Sequence, residues 1–566
     1  MSATGSQPAS EPPTTTTSGT TPQSTERPSF SHKQIIEIVW ALLLCLFVTS
    51  LSATVVGTAL PTIVGDLGGQ DQLAWVASAT LLTTTVSTPL WGKISDLYGR
   101  KPLMQIAIAV FVVTSLFAGL SQTMGELIAA RAAQGVGMGG VIALSQTIMA
   151  DIVSPRERGR YAGYLGASFG VATVAGPLIG GFLVDGPGWR WCFYVGIPIA
   201  VVASLVLQKT LHLSFVRRKT RIDWLGAMFI TASASALLLL LSLAGQEFAW
   251  VSPWSAALVL VSLVSLVLAV LVERRATEPI LPPRLFRSPT FCLTGIAAFL
   301  VGVAMFGAMI YLPQYLQVVR GKSPTVSGLL TIPLVICMLS VSMVCGRAIT
   351  RWGRWKVFPL VGLLLVATGS ALLSTLRADT DLVAVCAYMA VFGCGLGLTM
   401  QVLVLAVQNT SEVRDLGIAT SSSTFFRSMG GAVGVALFGA ILTSGVTASI
   451  PEVLARRGAR APSEDSLSSH LGTPAEIGAL PEPLRTAIRE GFTLGLDRIY
   501  LLAVPLVLLA FFALLAVKEV PLRGRVPVAV DLSGGVETPG GGAISECRHH
   551  PSHAWPNAGR IPPEHE

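Results

Sequence analysis

The chain has 566 residues, of which 52% are hydrophobic and only 12% charged, with a mean hydropathy of +0.65. A soluble domain carries roughly 25% charged residues, so this composition excludes a water-exposed fold of this size and makes lipid the solvent. The net charge of +8 would suit nucleic acid, but the Lys and Arg residues sit in short loops between apolar runs, where they speak for membrane topology and against a nucleic-acid partner.

Residues 1–34 open with a Ser/Thr/Pro-rich stretch, TTTTSGTTPQST, that cannot bury a core and is expected to be a disordered tail. No charged start, short apolar run and cleavage site precede the first span, so it is expected to act as its own insertion signal. A membrane-crossing helix needs about 20 apolar residues. Runs of that kind lie at 35–58, 73–92, 103–121, 126–149, 160–184, 191–209, 223–244, 254–272, 291–316, 327–349, 356–376, 382–407, 417–443 and 498–518. The predicted fold is therefore an all-α polytopic membrane protein of fourteen helices.

Basic residues in alternate loops orient it. Lys93, Arg100 and Lys101, then Arg156, Arg158 and Arg160, then Arg217, Arg218 and Lys219 fall on one side. Arg274 and Arg275, Arg351 and Arg354, and Lys518, Arg523 and Arg525 follow on the same side. That side is the cytoplasmic one by the positive-inside rule, which places both termini in the cytoplasm. The external loop at 444–497 is long, and its segment PEPLRTAIREGF reads as a short amphipathic helix on the outer surface. Residues 521–566 read as a second disordered tail, in which Cys547, His549, His550 and His553 have no fixed metal-binding geometry. Cys45, Cys292, Cys337, Cys345, Cys386 and Cys394 lie inside apolar runs and read as packing residues.

The loop after the second span reads GKISDLYGRKP, with Gly92, Asp96, Gly99, Arg100 and Lys101. Its glycines permit close approach and a tight turn, and Asp96 can pair with Arg100. The loop after the tenth span, GRAITRWGRWK, repeats Gly92, Gly99 and Arg100 as Gly346, Gly353 and Arg354 at the same spacing, with Thr350 in place of Asp96. Two matching loops imply two related halves. The divisions are a six-helix bundle over 35–210, two inserted helices over 211–290, and a second six-helix bundle over 291–520.

GKISDLYGRKP resembles the loop motif of the major facilitator superfamily. LIAARAAQGVGMG, with Arg131, Gln134 and Gly135, resembles the motif of its fourth helix. GASFGVATVAGPLIGG, with Gly170, Gly176, Pro177, Gly180 and Gly181, resembles the fifth-helix motif of its antiporters. WRWCFYVGIP, RIDWLGA, YLPQYLQ, LAVQNT and FFRSMGGAVG are similar to the fourteen-helix drug–proton antiporter branch. That branch usually carries an Asp early in helix one, where this chain reads LSATVVGTALP with Ser52.

The resemblance implies a monomeric plasma-membrane exporter of small amphipathic molecules (a drug, an antibiotic or a metabolite), driven by protons with no cofactor. Import of a solute on the same fold is the alternative. A membrane-embedded enzyme lacks converging catalytic side chains in the spans, and a receptor lacks a signalling domain. Arg131 lies about 7 Å into span four, where an unpaired charge is costly. Glu126 is its expected partner and, with it, the proton-coupling candidate. Span five is expected to seal the two halves against each other. Ser52, Gln134, Gln314, Gln408 and Arg427 are the expected cavity residues.

Overall fold

The computed structural model describes residues 31–522 except 69–71, 154, 213–222, 245–247, 277–278, 413–414 and 457–480. Residues 1–30 and 523–566 of the predicted tails and the core of the long loop, with Arg457 and Arg460, thus lie outside the described residues, as do Cys547 and the tail histidines, while residues 31–34 of the first tail cap and begin α1. The described residues form helices and one isolated bridge, Ala244 to Phe248, with no named strand.

In chain order the helices are α1 (His32–Leu67), α2 (Leu73–Tyr98), α3 (Arg100–Leu120), α4 (Met124–Ile152), α5 (Pro155–Asp185), α6 (Trp191–Tyr194) and α7 (Gly196–Thr210). Then come α8 (Trp224–Leu243), α9 (Pro253–Arg275), α10 (Pro283–Phe286), and α11 (Pro289–Gln314), which runs on as a π-helical turn over Tyr315–Val319. The last are α12 (Pro324–Leu330), α13 (Ile332–Trp352), α14 (Val357–Leu373), α15 (Leu382–Thr410), α16 (Leu416–Arg456) and α17 (Glu482–Leu515).

Local chemistry sets the ends. Ser31 and Gln34 form a reciprocal cap on α1: the Ser31 hydroxyl accepts from the Gln34 N–H and the Gln34 amide oxygen from the Ser31 N–H. Asp223 caps α8 by accepting from Gly226 N–H at 2.9 Å. At the other end, α2 and α13 stop at Gly99 (φ 95°) and Gly353 (φ 71°), backbone conformations that glycine reaches without a Cβ clash. These are the two repeated glycines of the sequence, now in matching structural roles.

Among the described residues eleven helices are long and apolar enough to cross a membrane. The apolar stretches Gly170–Asp185 and Val357–Leu373 are shorter, and α2 is long but more polar. The helical rods thus follow the predicted apolar runs closely, with one exception. α16 continues to Arg456 and α17 begins at Glu482, so the predicted external loop shrinks from both sides. PEPLRTAIREGF is helical, but it is the first part of α17 and not a separate surface helix. The physical reason is that helix continues through polar sequence once an apolar run has nucleated and anchored it.

Which helices touch carries the most information. In the first half α1 packs on α5 and α7, α4 on α2 and α3, and α3 on α7. In the second half α11 packs on α16 and α17, α15 on α13 and α14, and α14 on α17. These are the same five pairings in the same order. Between the halves α2 meets α16 and α5 meets α13, which is the reciprocal exchange a two-fold relation requires. The inserted α8 and α9 pair with each other through two bonds, Ser233 Oγ to Ser262 O (2.9 Å) and Ser262 Oγ to Ser233 O (3.1 Å). α8 then lies along the α2–α16 seam, joining Ala234 and Leu238 to Val86, Phe425, Met429 and Ala432.

Candidate functional site

The loop motif builds a fastening between the halves at the end of the bundle that carries the basic loops. Gly92 lets α2 lie directly on α16: a Cβ there would stand 2.0 Å from Ser421 Oγ and 2.9 Å from the Gly417 carbonyl. One turn on, the Asp96 carboxylate accepts a hydrogen bond from Ile418 N–H at 3.0 Å, at the start of α16. This is a helix N-terminus receiving a carboxylate, a favourable placement for its unpaired N–H groups and dipole. Arg100 holds that carboxylate in place. It pairs with Asp96, with Asp151 at 2.8 Å, and donates to Ser95 Oγ at 2.8 Å. Lys101 donates to the Gln208 carbonyl at 2.7 Å and ties α3 to the end of α7.

A further contact joins the halves at this end: Thr424 Oγ1 donates to Gln146 Oε1 at 3.2 Å. Arg284, from the inserted segment, pairs with the buried Asp415 at 2.6 Å just before α16. Gln408 donates to Thr420 Oγ1 at 3.2 Å. Gln146, Gln401 and Gln408 line a cavity of about 20 Å³ between α4, α5 and α15, large enough for one water. Gln408, expected in the substrate cavity, lines this small cavity between the halves and bonds within the second half.

The fourth-helix motif is a packing core and a polar chain. Gly135 and Gly139 approach α2 at Thr80, Thr83 and Ser87, while Gly137 and Gly140 approach α3 at Phe111 and Ala107. Hydroxyls of α2 rung the contact: Thr80 donates to the Arg131 carbonyl and Thr84 to the Gly135 carbonyl, both at 3.1 Å. The Arg131 side chain, 2% exposed, donates to Gln134 Oε1 at 2.5 Å, and Gln134 donates to Ser115 Oγ at 2.6 Å. The Phe193 ring centroid lies 6.0 Å from the guanidinium. Gln134, expected on the cavity, is fully buried inside the first bundle.

The expected Arg131–Glu126 pair is not formed. Glu126 is exposed and closes a cap, accepting from Gln122 N–H at 2.8 Å while its own N–H is bonded by Thr123. A separation of five residues turns about 140° around a helix, which places the two on different faces. The residue at i+3, Gln134, is the one that reaches Arg131.

The fifth-helix motif divides its work. Gly170 faces the other half, meeting Val335 and Met338 of α13, where the expected seal would lie. Gly176 and Gly180 instead face α1 at Thr54 and Thr58, beside the Thr54 bond to the Ala172 carbonyl (3.1 Å). Pro177 lies within α5 between them, and Gly181 has open space. Ser52 is buried with a hydroxyl that has no partner among the described residues, and Gln314 is half-buried at the end of α11.

Sequence reasoning missed two features. Asp497, left in the external loop by the apolar count, lies inside α17 with its Oδ1 buried and, among the described residues, unpartnered, and with Arg377 in electrostatic reach. At the opposite end from the basic loops, Asp66 accepts from Trp189 Nε1 and from Arg190, both at 2.9 Å, and the Arg190 guanidinium stacks 4.3 Å from the Trp189 ring. The Trp189 bond, and then the Arg190 bond, hold the Asp66 carboxyl below its usual range. A lowered value means that this latch is fully present above the unperturbed carboxylate pKa near 3.9 and is lost as pH falls through the lower, folded value. The melting temperature of Asp66→Asn should therefore sit below wild type by a constant amount from pH 8 to 5, and the gap should close below about pH 4.

A Major Facilitator Superfamily profile matches residues 42–435. The chain belongs to the major facilitator superfamily. It is 38% identical over 502 residues to an uncharacterized MFS-type transporter of Mycobacterium tuberculosis, covering 89% of this chain and 72% of that one. The multidrug transporter protein MdtP of Bacillus subtilis is 35% identical over 407 residues, 72% of this chain and 75% of its own. The crystal structure of the human organic anion transporter MFSD10 matches in fold, with a TM-score of 0.58 at 15% identity over 85% of this chain and 99% of that one. The chain is thus a multi-pass membrane transporter with multidrug-transporter relatives, and not an enzyme.

Proposed function

We propose that this facilitator exports small amphipathic molecules across the plasma membrane by proton antiport and alternating access, with the basic end and both termini in the cytoplasm. The observation that carries this reading is the Asp96–Ile418 bond beside Gly92 and Ser421. It joins the two halves through residues that only a shift of one half against the other would separate, which is what an inner gate must do. The repeated helix pairings support a division into bundles over 35–210 and 291–520 with 211–290 inserted, fourteen spans in all. The multidrug relative favours export over import.

Asp497 is the proton carrier in this reading. It is a carboxyl inside α17 whose Oδ1 is buried and unpartnered among the described residues, on a helix that packs against both α11 and α16. Glu126 serves the α4 cap instead.

Full-length protein in liposomes, loaded with an amphipathic dye and given an imposed pH gradient, should move the dye against its own gradient. Equal flux with and without the pH gradient rejects proton coupling. Asp497→Asn should abolish the pH-dependent part of the flux, while Glu126→Gln, which can still accept the Gln122 N–H, should keep it. The reverse result would return the proton to Glu126.

A further inference from the structure

The structure holds a second intramembrane arginine that its fold does not explain. Arg427 lies in α16, eleven residues from the start at Leu416, or about 16 Å along the axis. Unlike Arg131, it has no hydrogen bond, ion pair or ring contact among the described residues. It is also half-buried while densely surrounded by protein, which fits a side chain facing an internal space and not lipid.

Its neighbours define that space. Thr420 is seven residues earlier, nearly in line with Arg427 on the helix face, and Thr424 is one turn earlier. These two meet Gln408 and Gln146 at the inner gate, so the line of α16 that carries Arg427 runs up from the gate. On the α11 side there is no room for a guanidinium: Gly302 meets the Arg427 carbonyl, and Gly430 and Gly434 meet the carbonyls of Phe299 and Val303. Phe306 against Gly431 and Phe426 against Gly295 fill the same contact, so the guanidinium lies on another side of α16.

An unpaired cation at membrane depth is costly unless a counter-charge is supplied. We infer that the counter-charge is the substrate: Arg427 is the binding site for the carboxylate or another anionic head of an amphipathic molecule. An arginine suits this role because its planar fork binds a carboxylate in two parallel hydrogen bonds. For such a substrate an inside-negative membrane potential itself favours exit, by roughly fortyfold in concentration ratio per charge at 100 mV. This inference rests on the export reading and narrows its substrate class.

Two xanthene dyes of similar size test it in liposomes containing the full chain: carboxyfluorescein, an anion, and a rhodamine ester, a cation. Wild type should transport carboxyfluorescein in preference to the rhodamine ester. Arg427→Gln should lower carboxyfluorescein flux at least tenfold, and Arg427→Lys should retain part of it, with melting temperatures of both variants matched to wild type to exclude misfolding. Wild type moving the rhodamine ester but not carboxyfluorescein, or Arg427→Gln moving carboxyfluorescein at the wild-type rate, overturns the anion site and leaves the export reading standing. If wild type moves neither dye, the export reading falls and the anion site with it.

Discussion

Replacing Asp96 by Asn is expected to lower transport about tenfold. Asn keeps an oxygen that can accept the Ile418 N–H, so the shape of the contact survives. What is lost is the charge that strengthens that bond and pairs with Arg100. A hydrogen bond to a charged group contributes about 1.5–3 kcal/mol and a neutral one about 0.5–1.5 kcal/mol. The difference, on the order of 1–2 kcal/mol, shifts the closed-to-open ratio of the gate by about tenfold. The gate should accordingly stand open more often at the basic end. Two measurements check this together: initial rates of dye flux, and labelling of Thr424→Cys by a membrane-impermeant thiol reagent in a background whose native cysteines are replaced by serine. Thr424 is 2% exposed in the closed arrangement, so faster labelling in Asp96→Asn reports opening directly. Unchanged labelling with reduced flux would place the effect of Asp96 elsewhere.

Gly92→Ala should be as damaging for a steric reason. The added methyl would overlap Ser421 Oγ and press on the Gly417 carbonyl, and overpacking of this kind costs about 1–3 kcal/mol. Since the collision exists only when α2 and α16 are together, the substitution disfavours the closed gate specifically and should reduce flux by roughly tenfold or more. Ser421 is a side chain, so part of the collision can be relieved. Gly92→Ala with Ser421→Gly should recover much of the flux that Gly92→Ala loses. Ser421→Gly alone should have a small effect. Absence of any recovery would mean that Gly92 is needed for some reason other than its contact with Ser421.

The helices and the repeated glycine–arginine loops were legible in the sequence because hydropathy and glycine placement are local properties. Gly99 and Gly353 could be matched by spacing alone, and both turn out to end helices with a positive φ. The partner of Asp96 was not legible: Ile418 is 322 residues away and contributes only a backbone N–H, which leaves no trace in residue type. Glu126 was misplaced although a signal was present. Thr123 and Glu126 stand three apart at the start of an apolar run, the signature of a cap, and the five-residue step to Arg131 already put the two on different helix faces. Asp497 was missed because apolar counting ends a helix where hydropathy drops, whereas α17 continues sixteen residues further, to Glu482. The role of Gly170 differs from that of Gly176 and Gly180 because the three face different neighbours, and one helix's sequence does not say which neighbour each face meets.

Transport by this facilitator requires the two halves to move against each other at the basic end. Spin labels on Tyr98, at the end of α2, and on Glu412, just before α16, would report that separation by pulsed electron resonance in liposomes. The prediction is two distance populations, a short one matching the closed arrangement and a longer one, with the balance shifted by pH and by Asp96→Asn toward the longer. A single short distance that persists unchanged while the same preparation transports dye would contradict it.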